Sequence, residues 1–507
     1  MVLFTERHAD KIAGTLSCYD RLVLMGTIPG LCYAEGMTRY LHAQQIRIFD
    51  FPAWAKPLRE EIRQNAERLA AEAGLEIEFV RKLEDFRKER RIKEILRQRG
   101  EQPGLVHVFA AMETCRTYQP WHNKKTHQTY LKPDTGRCLH YYFYFLDPHL
   151  GLCYLRVPTW APFRLQFYCN GHNLLAQQLR RKGIGFDQVE NAFVRVDDFA
   201  KAQELADQLD PKQIHRVLDQ AARRYCPVIR RLAAGYHWSI MQAEYATDIV
   251  FRRPQDLKPI YEELVRTLTH TVKPNHLATF LGRKLRGNYE GELGSRFSTR
   301  IEGTCLKHFM ADAGLKLYDK FGILLRLETV TNDVTFFQHY RKVEHRDGTC
   351  ERKQAPLRKT IYSLPDLATL LSAANRRYLE FLSAVDDPTN GIREVQQVSR
   401  PVQENGRSYR GFNLFDEAET TLFRILARGE FNLRGLRSGD LRRHLPAQSP
   451  GQISHVLRRL RNHGILKKAQ KRYRYYVTAL GKRIIASALK LKEMFLIPSL
   501  RGLLPQP

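Results

Sequence analysis

The stretch Tyr318–Glu328, YDKFGILLRLE, places a tyrosine, an aspartate and a lysine before a glycine, and an arginine and a glutamate on alternate positions after it. Extended back to Leu315, it alternates apolar and polar residues on both sides of Phe321-Gly322, the pattern of a half-buried β-hairpin. With Lys320, Phe321 and Gly322 as a three-residue loop and the glycine in the left-handed region, Asp319 opposes Ile323 and Leu317 opposes Leu325. That register gathers Leu315, Leu317, Ile323, Leu325 and Leu327 on one face, and Lys316, Tyr318, Leu324, Arg326 and Glu328 on the other. An even-length loop would put the leucines of the two strands on opposite faces, so the odd loop is expected.

The polar face carries the groups that phosphodiester chemistry uses. Tyr318 is a candidate nucleophile, Arg326 and Lys320 are cations that could offset developing charge, and Glu328, Asp319 and Glu302 are candidate carboxylate ligands for Mg²⁺ or Mn²⁺. Glu244, Asp248 and Asp333 are further carboxylates, and Tyr340 in FFQHYRKVEH competes with Tyr318 for the nucleophile's role. The same residue types also suit the open face of an amphipathic hairpin, where solubility and cross-strand ion pairing select them. Upstream, Lys273, Arg283, Lys284, Arg286, Arg296 and Arg300 form a basic cluster, read either as a nucleic-acid groove or as a solvated helix surface.

The stretch IEGTCLKHFMADAGLKLYDKFGILLRLET resembles the initiator proteins of rolling-circle plasmids, in which a Y-D-K strand precedes an R-x-E strand inside a nicking domain. Tyr318, Asp319, Lys320, Arg326 and Glu328 carry the resemblance. It implies relaxase-like strand cleavage, transient attachment of DNA to a tyrosine, and dependence on Mg²⁺ or Mn²⁺. The chain has no hydrophobic-flanked His-x-His pair, the metal motif of many related nickases.

Outward from the hairpin, the chain reads as a multidomain α/β and α+β protein. Residues 1–104 alternate strand-like RLVLMGTI, helix-like EGMTRYLHAQ, strand-like IRIFDF, helix-like PLREEIRQNAERLAAEAG and strand-like LEIEFV, an order that predicts a small parallel sheet in an N-terminal domain. Residues 105–240 open with aromatic strands and become helical. In HYYFYFLDPHLGLCYLRVP, Tyr142 and Tyr144 alternate with Tyr141, Phe143 and Phe145. One set faces a core; the other needs a cover, either another domain or bases stacked beside Arg156 and Arg164. Residues 241–385 form a central α+β domain holding the hairpin, and the Pro-, Gly- and Asn-rich segment 386–412 reads as a linker. No internal repeat is visible.

Residues 413–507 contain DEAETTLFRILARGE, RSGDLRRHL and SPGQISHVLRRLRNHGIL as three helices, then KKAQKRYRYYVTALG as two short strands with a basic tip. This is the order of a winged helix-turn-helix, and the stretch resembles the winged-helix domain of MarR-type regulators. Between 431 and 496 there are sixteen Lys/Arg against two acidic residues, the electrostatic footprint of a phosphate-backbone binder. Gln452, His455, Arg458, Arg459 and Asn462 on the third helix, with Lys468, Lys471, Arg472 and Arg474 in the wing, are the candidate DNA-binding residues.

The whole chain carries 82 Lys+Arg against 54 Asp+Glu, a net charge of +28, which points to a polyanionic partner. DNA is the expected partner and RNA the alternative, with a homodimer on paired half-sites if the protein is a regulator. No run approaches the apolar length of a membrane span, so no membrane partner and a cytoplasmic location are expected. The nine cysteines include no C-x-x-C pair, which argues against a disulfide framework or a zinc ribbon. Two functions follow: a nicking initiator or transposase-like enzyme of a mobile element or its bacterial host, or a non-enzymatic regulator or RNA-binding protein.

Overall fold

The computed structural model describes every residue except 1, 82–86, 233–234, 301–302, 346, 387–388, 470–472 and 501–507. The chain divides into two compact units, Met1–Val385 and Asp386–Pro507.

The strands of the first unit are β1 (Ile12–Thr27), β2 (Ile77–Phe79), β3 (Gly104–Asn123), β4 (Gln128–Asp147), β5 (Gly151–Pro158), β6 (Leu165–Cys169), β7 (Phe186–Val189), β8 (Ala192–Val196), β9 (His237–Phe251), β10 (Leu293–Arg300), β11 (Gly303–Met310), β12 (Ala313–Lys320), β13 (Leu324–Thr331), β14 (Gln338–Glu344) and β15 (Cys350–Pro356). β7 with β8 and β14 with β15 form separate two-stranded hairpins, and the other eleven join one sheet in the order β10-β11-β12-β13-β9-β1-β6-β5-β4-β3-β2. The sheet is built from two topologically equivalent halves. In one, β1 is followed by helices Ala34–Ala43 and Phe51–Glu72, then, after the additional β2 and helix Lys88–Arg99, by the meander β3–β6, whose last strand pairs back on β1. In the other, β9 is followed by helices Pro254–Thr271 and Pro274–Phe280, then by the meander β10–β13, whose last strand pairs back on β9. The halves meet where β1 pairs antiparallel with β9, with Tyr19 opposite Tyr245 and their rings edge-on at 5.2 Å.

One face of the sheet is the main core. Tyr19, Leu24, Phe143, Phe167, Leu317 and Leu327 are buried with side chains from helices Phe51–Glu72, Pro211–Tyr225, Pro254–Thr271 and Leu364–Val385. The other face is covered in patches. Helices Gly171–Lys182 and Phe199–Asp207 with the β7–β8 hairpin cover Leu16, and helix Lys88–Arg99 covers Phe109, Tyr142 and Tyr144. HYYFYFL therefore reads as an unbroken apolar run because β4 is buried on both sides there: Tyr141, Phe143 and Phe145 enter the main core, and Tyr142 and Tyr144 sit under that helix.

Four expectations are corrected. Residues 1–104, 105–240 and 241–385 are not separate bodies, because their strands interleave in one sheet. The small parallel N-terminal sheet does not form: β1 has antiparallel neighbours, and the one parallel pairing among the described strands is β2 with β3. IRIFDF is no strand, since Ile48–Asp50 is a single 3₁₀ turn and Phe51 opens a long helix with Pro52 in its first turn, where the missing N–H costs nothing. Segment 386–412 is structured rather than a linker. It holds helix Thr389–Ser399 and a hairpin pairing Val402–Glu404 with Arg407–Tyr409, and it buries Val398, Tyr409 and Phe412 in the second unit.

That unit continues with helices Glu417–Leu426, Gly429–Arg434, Ser438–His444 and Pro450–Asn462, the antiparallel strands Leu466–Lys468 and Tyr475–Val477, and helix Ala479–Lys490. Ile453, Leu457 and Leu460 anchor helix Pro450–Asn462 in its core.

Candidate active site

The β12–β13 hairpin has the expected odd loop and shared faces, displaced by two residues in register. Lys320 pairs with Leu324, Tyr318 with Arg326 and Lys316 with Glu328, so the loop is Phe321-Gly322-Ile323. Phe321 and Gly322 both have positive φ, 57° and 70°. The two-residue displacement preserves the side-chain alternation, and Tyr318, Arg326 and Glu328 lie together on the partly covered face. Asp319 pairs with Leu325 and so points to the opposite face, which removes it from any metal site with Glu328. Glu302 lies outside the described residues.

Arg326 is fully buried. Its Nε donates to Asp248 Oδ1 and its Nη2 to Asp248 Oδ2, both at 2.6 Å, while Nη1 lies 3.3 Å from Asp20 Oδ1. Burial works against the charge of Asp248, yet Arg326 beside it and the nearby His172 hold its carboxyl down to about 2. Asp20 is likewise held well below the carboxylate range: burial opposes its charge, and His172 and Arg326 outweigh it.

Three distant segments complete this cluster. Asp20 sits where the β1–β9 register slips between Tyr19 and Arg21, and such a bulge re-aims side chains. Asn191, in the tight turn between β7 and β8, donates from Nδ2 to Asp20 Oδ1 and Oδ2 at 2.6 and 2.8 Å, and its own Oδ1 accepts from Lys320 Nζ. His172 stands in the first turn of helix Gly171–Lys182, with Nδ1 3.1 Å from Asp20 Oδ1 and Nε2 3.5 Å from Asp248 Oδ2. That helix begins so close to β1 that a Cβ on Gly171 would lie 2.1 Å from the Tyr19 carbonyl oxygen, so position 171 requires glycine.

Beside this network lies an acidic triad, Asp20, Glu244 and Glu328, in which one carboxylate oxygen from each residue falls within 4.8 Å of the other two. Lys316 Nζ donates to Glu328 Oε2 at 2.7 Å and to Glu244 Oε2 at 3.3 Å, and Tyr318 OH reaches Glu328 Oε2 at 3.4 Å. Burial pushes the Glu328 carboxyl up to about 7, with Asp20 and Glu244 adding to the effect and Lys316 opposing it. Its Oε1 is buried without a hydrogen-bond partner among the described residues, an orphaned acceptor of the kind a cation satisfies. Three carboxylates around such an oxygen fit a hard divalent ion. Burial, then Glu328, raises the Tyr318 phenol well above its ordinary range, so at neutral pH it is protonated.

Sequence reasoning brought Tyr318, Arg326 and Glu328 to one surface and named Glu244 and Asp248, but it missed Asp20, His172 and Asn191. A bulge, a helix start and a turn leave no periodic signal. Tyr340 is exposed on the hairpin formed by Gln338–Glu344 and Cys350–Pro356.

The candidate DNA-binding residues of the second unit divide. His455 and Arg458 are exposed on helix Pro450–Asn462, and Lys468 and Arg474 flank the tip of the strand pair after it. Gln452 is exposed but caps its own helix, its Oε1 accepting from Ser449 N at 2.7 Å, and Asn462 is half-buried. Arg459 is corrected: it is buried, donates to Glu419 Oε1 at 2.7 Å and to the carbonyl oxygens of Arg410 and Gly411, and stacks 3.8 Å above Phe412. Lys471 and Arg472 lie outside the described residues.

The chain matches no protein-family model, no curated protein and no solved structure. Among the described residues, no helix is long and apolar enough to cross a membrane.

Proposed function

We propose that the protein is a DNA-binding, strand-nicking enzyme of the replication-initiator or transposase-like kind. The observation that carries this reading is the convergence of Tyr318, Lys316 and the triad Asp20, Glu244 and Glu328 on one face of the sheet. The phenol oxygen of Tyr318 attacks the scissile phosphorus and its proton passes to Glu328 Oε2. The bond from phosphorus to the 3′ oxygen breaks, that oxygen leaves as a hydroxyl after taking a proton from water, and the 5′ phosphate stays on the tyrosine. Lys316 offsets negative charge at the phosphate, while Arg326, fully buried and held by Asp248, positions the hairpin rather than touching DNA. Asp20, Glu244 and Glu328 would hold Mg²⁺ or Mn²⁺, which supplies Lewis-acid polarisation of the phosphate when bound.

In this reading the second unit is a winged helix-turn-helix that docks on duplex DNA. The strand pair Leu466–Lys468 and Tyr475–Val477 is its wing, with concave basic surfaces lined by Lys467, Lys468 and Lys482 and by Arg437 and Arg474. A second reading, a non-enzymatic DNA-binding regulator, draws on the burial of Tyr318, whose relative exposure is 7%.

The test is covalent capture. Labelled single- and double-stranded DNA from the gene's own neighbourhood is incubated with the protein in Mg²⁺, Mn²⁺ or EDTA and run on a denaturing gel. A metal-dependent nick with a DNA-linked protein band that disappears in Tyr318→Phe supports the enzyme and its nucleophile. A band lost instead in Tyr340→Phe moves the nucleophile. Absence of an adduct on DNA that binds tightly leaves the regulator.

A further inference from the structure

The partly covered face of the sheet continues beyond the triad into the other half. Cross-strand pairing carries it from Glu244 to Arg21, from Met25 to Gln166 and on to Arg156, and from Pro158 to His140. Tyr154 and Tyr168 stack here at 5.0 Å with an interplanar angle of 8°, and the Arg21 guanidinium lies 5.8 Å from the Tyr168 ring centre. At the end of this track is a cavity of 230 Å³. Its apolar lining includes Met25, Met241 and Trp160, and its polar lining Arg116, Arg164 and Gln166. Arg156 also reaches it, held by Glu113, whose Oε2 accepts from Arg156 Nε at 2.8 Å.

Two N–H groups along this face lack partners. Arg21 Nε and Arg164 Nε are buried without a hydrogen bond among the described residues. A buried donor left unsatisfied is costly, and two on guanidinium groups fit an anionic ligand. His140, also at the cavity, is pushed down to about 4, chiefly by burial and then by Arg156, so it enters as a neutral ring. The volume is below the roughly 300–1,000 Å³ of drug-sized sites, and the mix of indole, thioether, amide and arginine suits one base with its phosphate.

We propose that this cavity is a nucleotide subsite for single-stranded DNA, holding a base several nucleotides from the phosphate at the acidic triad. Glu328 on β13 and Gln166 on β6 are three strand spacings apart, roughly 14 Å across the sheet, and their pairings project onto Cys18 and Met25 of β1, roughly 20 Å apart along the strand, so the two positions are separated by roughly 25 Å, a span of several nucleotides. The half of the sheet with β12 and β13 carries Glu244, Glu328 and the tyrosine, with Asp20 reaching them from β1 at the seam, and the equivalent half carries stacked tyrosines and arginines. The inference rests on the DNA reading above but not on cleavage.

The experiment measures the affinity of the full chain for a short fluorescent single-stranded DNA and for its duplex, both in EDTA. The double variant Arg116→Ala with Gln166→Ala, and separately Met241→Glu at an exposed site, are expected to weaken single-strand binding on the order of tenfold and to leave duplex binding unchanged. A photocrosslink from 5-iododeoxyuridine in the strand is expected in the peptides holding Trp160 or Met241. Unchanged single-strand affinity in both variants, crosslinks confined to other peptides, or tighter binding of RNA of the same sequence would overturn the subsite. Adduct formation in Mn²⁺, assayed separately, reports on Tyr318, so either result stands without the other.

Discussion

Arg326 and Glu328 lie two residues apart on one strand, and the face they share was legible from the period-two pattern of the hairpin. Their surroundings were not. Arg326 is bound by Asp248 from the neighbouring strand and by Asp20 from a bulge whose position nothing in IAGTLSCYDRLVLMGT announces. Removing the guanidinium leaves two buried carboxylates with His172, among the described residues, as the one cationic side chain between them. Arg326→Met is therefore expected to cost about 3–5 kcal/mol in urea unfolding. Arg326→Lys should recover only part of that, because an ammonium cannot make the two-pronged contact with Asp248. Glu328 gives a pH signature. Its carboxyl rises from an ordinary 4.5 to about 7 in the fold. Between those values the native state holds a proton that the unfolded chain has lost, so this group's contribution to stability falls as pH rises through the window, by about 3 kcal/mol at most. Below 4.5 both states are protonated and the group is silent. Glu328→Gln should remove that slope, so the Tm difference between variant and wild type grows from pH 4.5 to 7 and then levels off. If the triad holds a divalent ion, Mn²⁺ at pH 8 should raise the Tm of the wild type and not of Glu328→Gln.

At the scale of elements, turn chemistry decided what the sequence showed and what it hid. The odd loop of the β12–β13 hairpin follows from keeping its leucines together, but the choice between Lys320-Phe321-Gly322 and Phe321-Gly322-Ile323 does not. Both registers give the same faces, and the pairing of Lys320 with Leu324 is favoured by contacts of Lys320 with Asn191 that lie far off in sequence. Gly322 has φ of 70° and nothing within 4 Å of a built Cβ, so a side chain there meets only backbone strain. Gly322→Ala is expected to cost about 1 kcal/mol in urea unfolding and to leave DNA affinity unchanged. Segment 386–412 shows the opposite case. Its Asn405-Gly406 pair, with φ of 48° and 72°, is a two-residue hairpin turn that the sequence states openly. The surrounding Pro, Gly and charged residues masked it.

For the whole molecule, the repeated strand–helix–meander topology left no trace in the sequence, because the two halves diverge at the positions that would align them. Tyr154, Arg156, Gln166 and Tyr168 stand on β5 and β6, where the other half has Lys316, Tyr318, Arg326 and Glu328. Topology is kept by burial of the opposite face, which asks only for apolar residues, so the polar face is free to specialise. The charge surplus is also uneven, with sixteen of the basic residues between 431 and 496. If that unit docks on duplex DNA, the affinity should fall linearly with salt on logarithmic axes, losing a slope of about 0.9 for each phosphate contact removed. Arg458→Ala and Lys468→Ala, at exposed positions, should each reduce the slope by about that amount without lowering Tm. Arg459→Met should do the reverse. Its guanidinium is buried on Glu419 and two backbone carbonyls, so its loss leaves the buried Glu419 with only the exposed Arg410, 3.4 Å away, as a cationic partner, lowers the unfolding midpoint by an amount corresponding to about 3 kcal/mol, and keeps the salt slope. A slope reduced by Arg459→Met as much as by Arg458→Ala would show that the helix turns its Arg459 side to the duplex, contrary to the packing against Phe412.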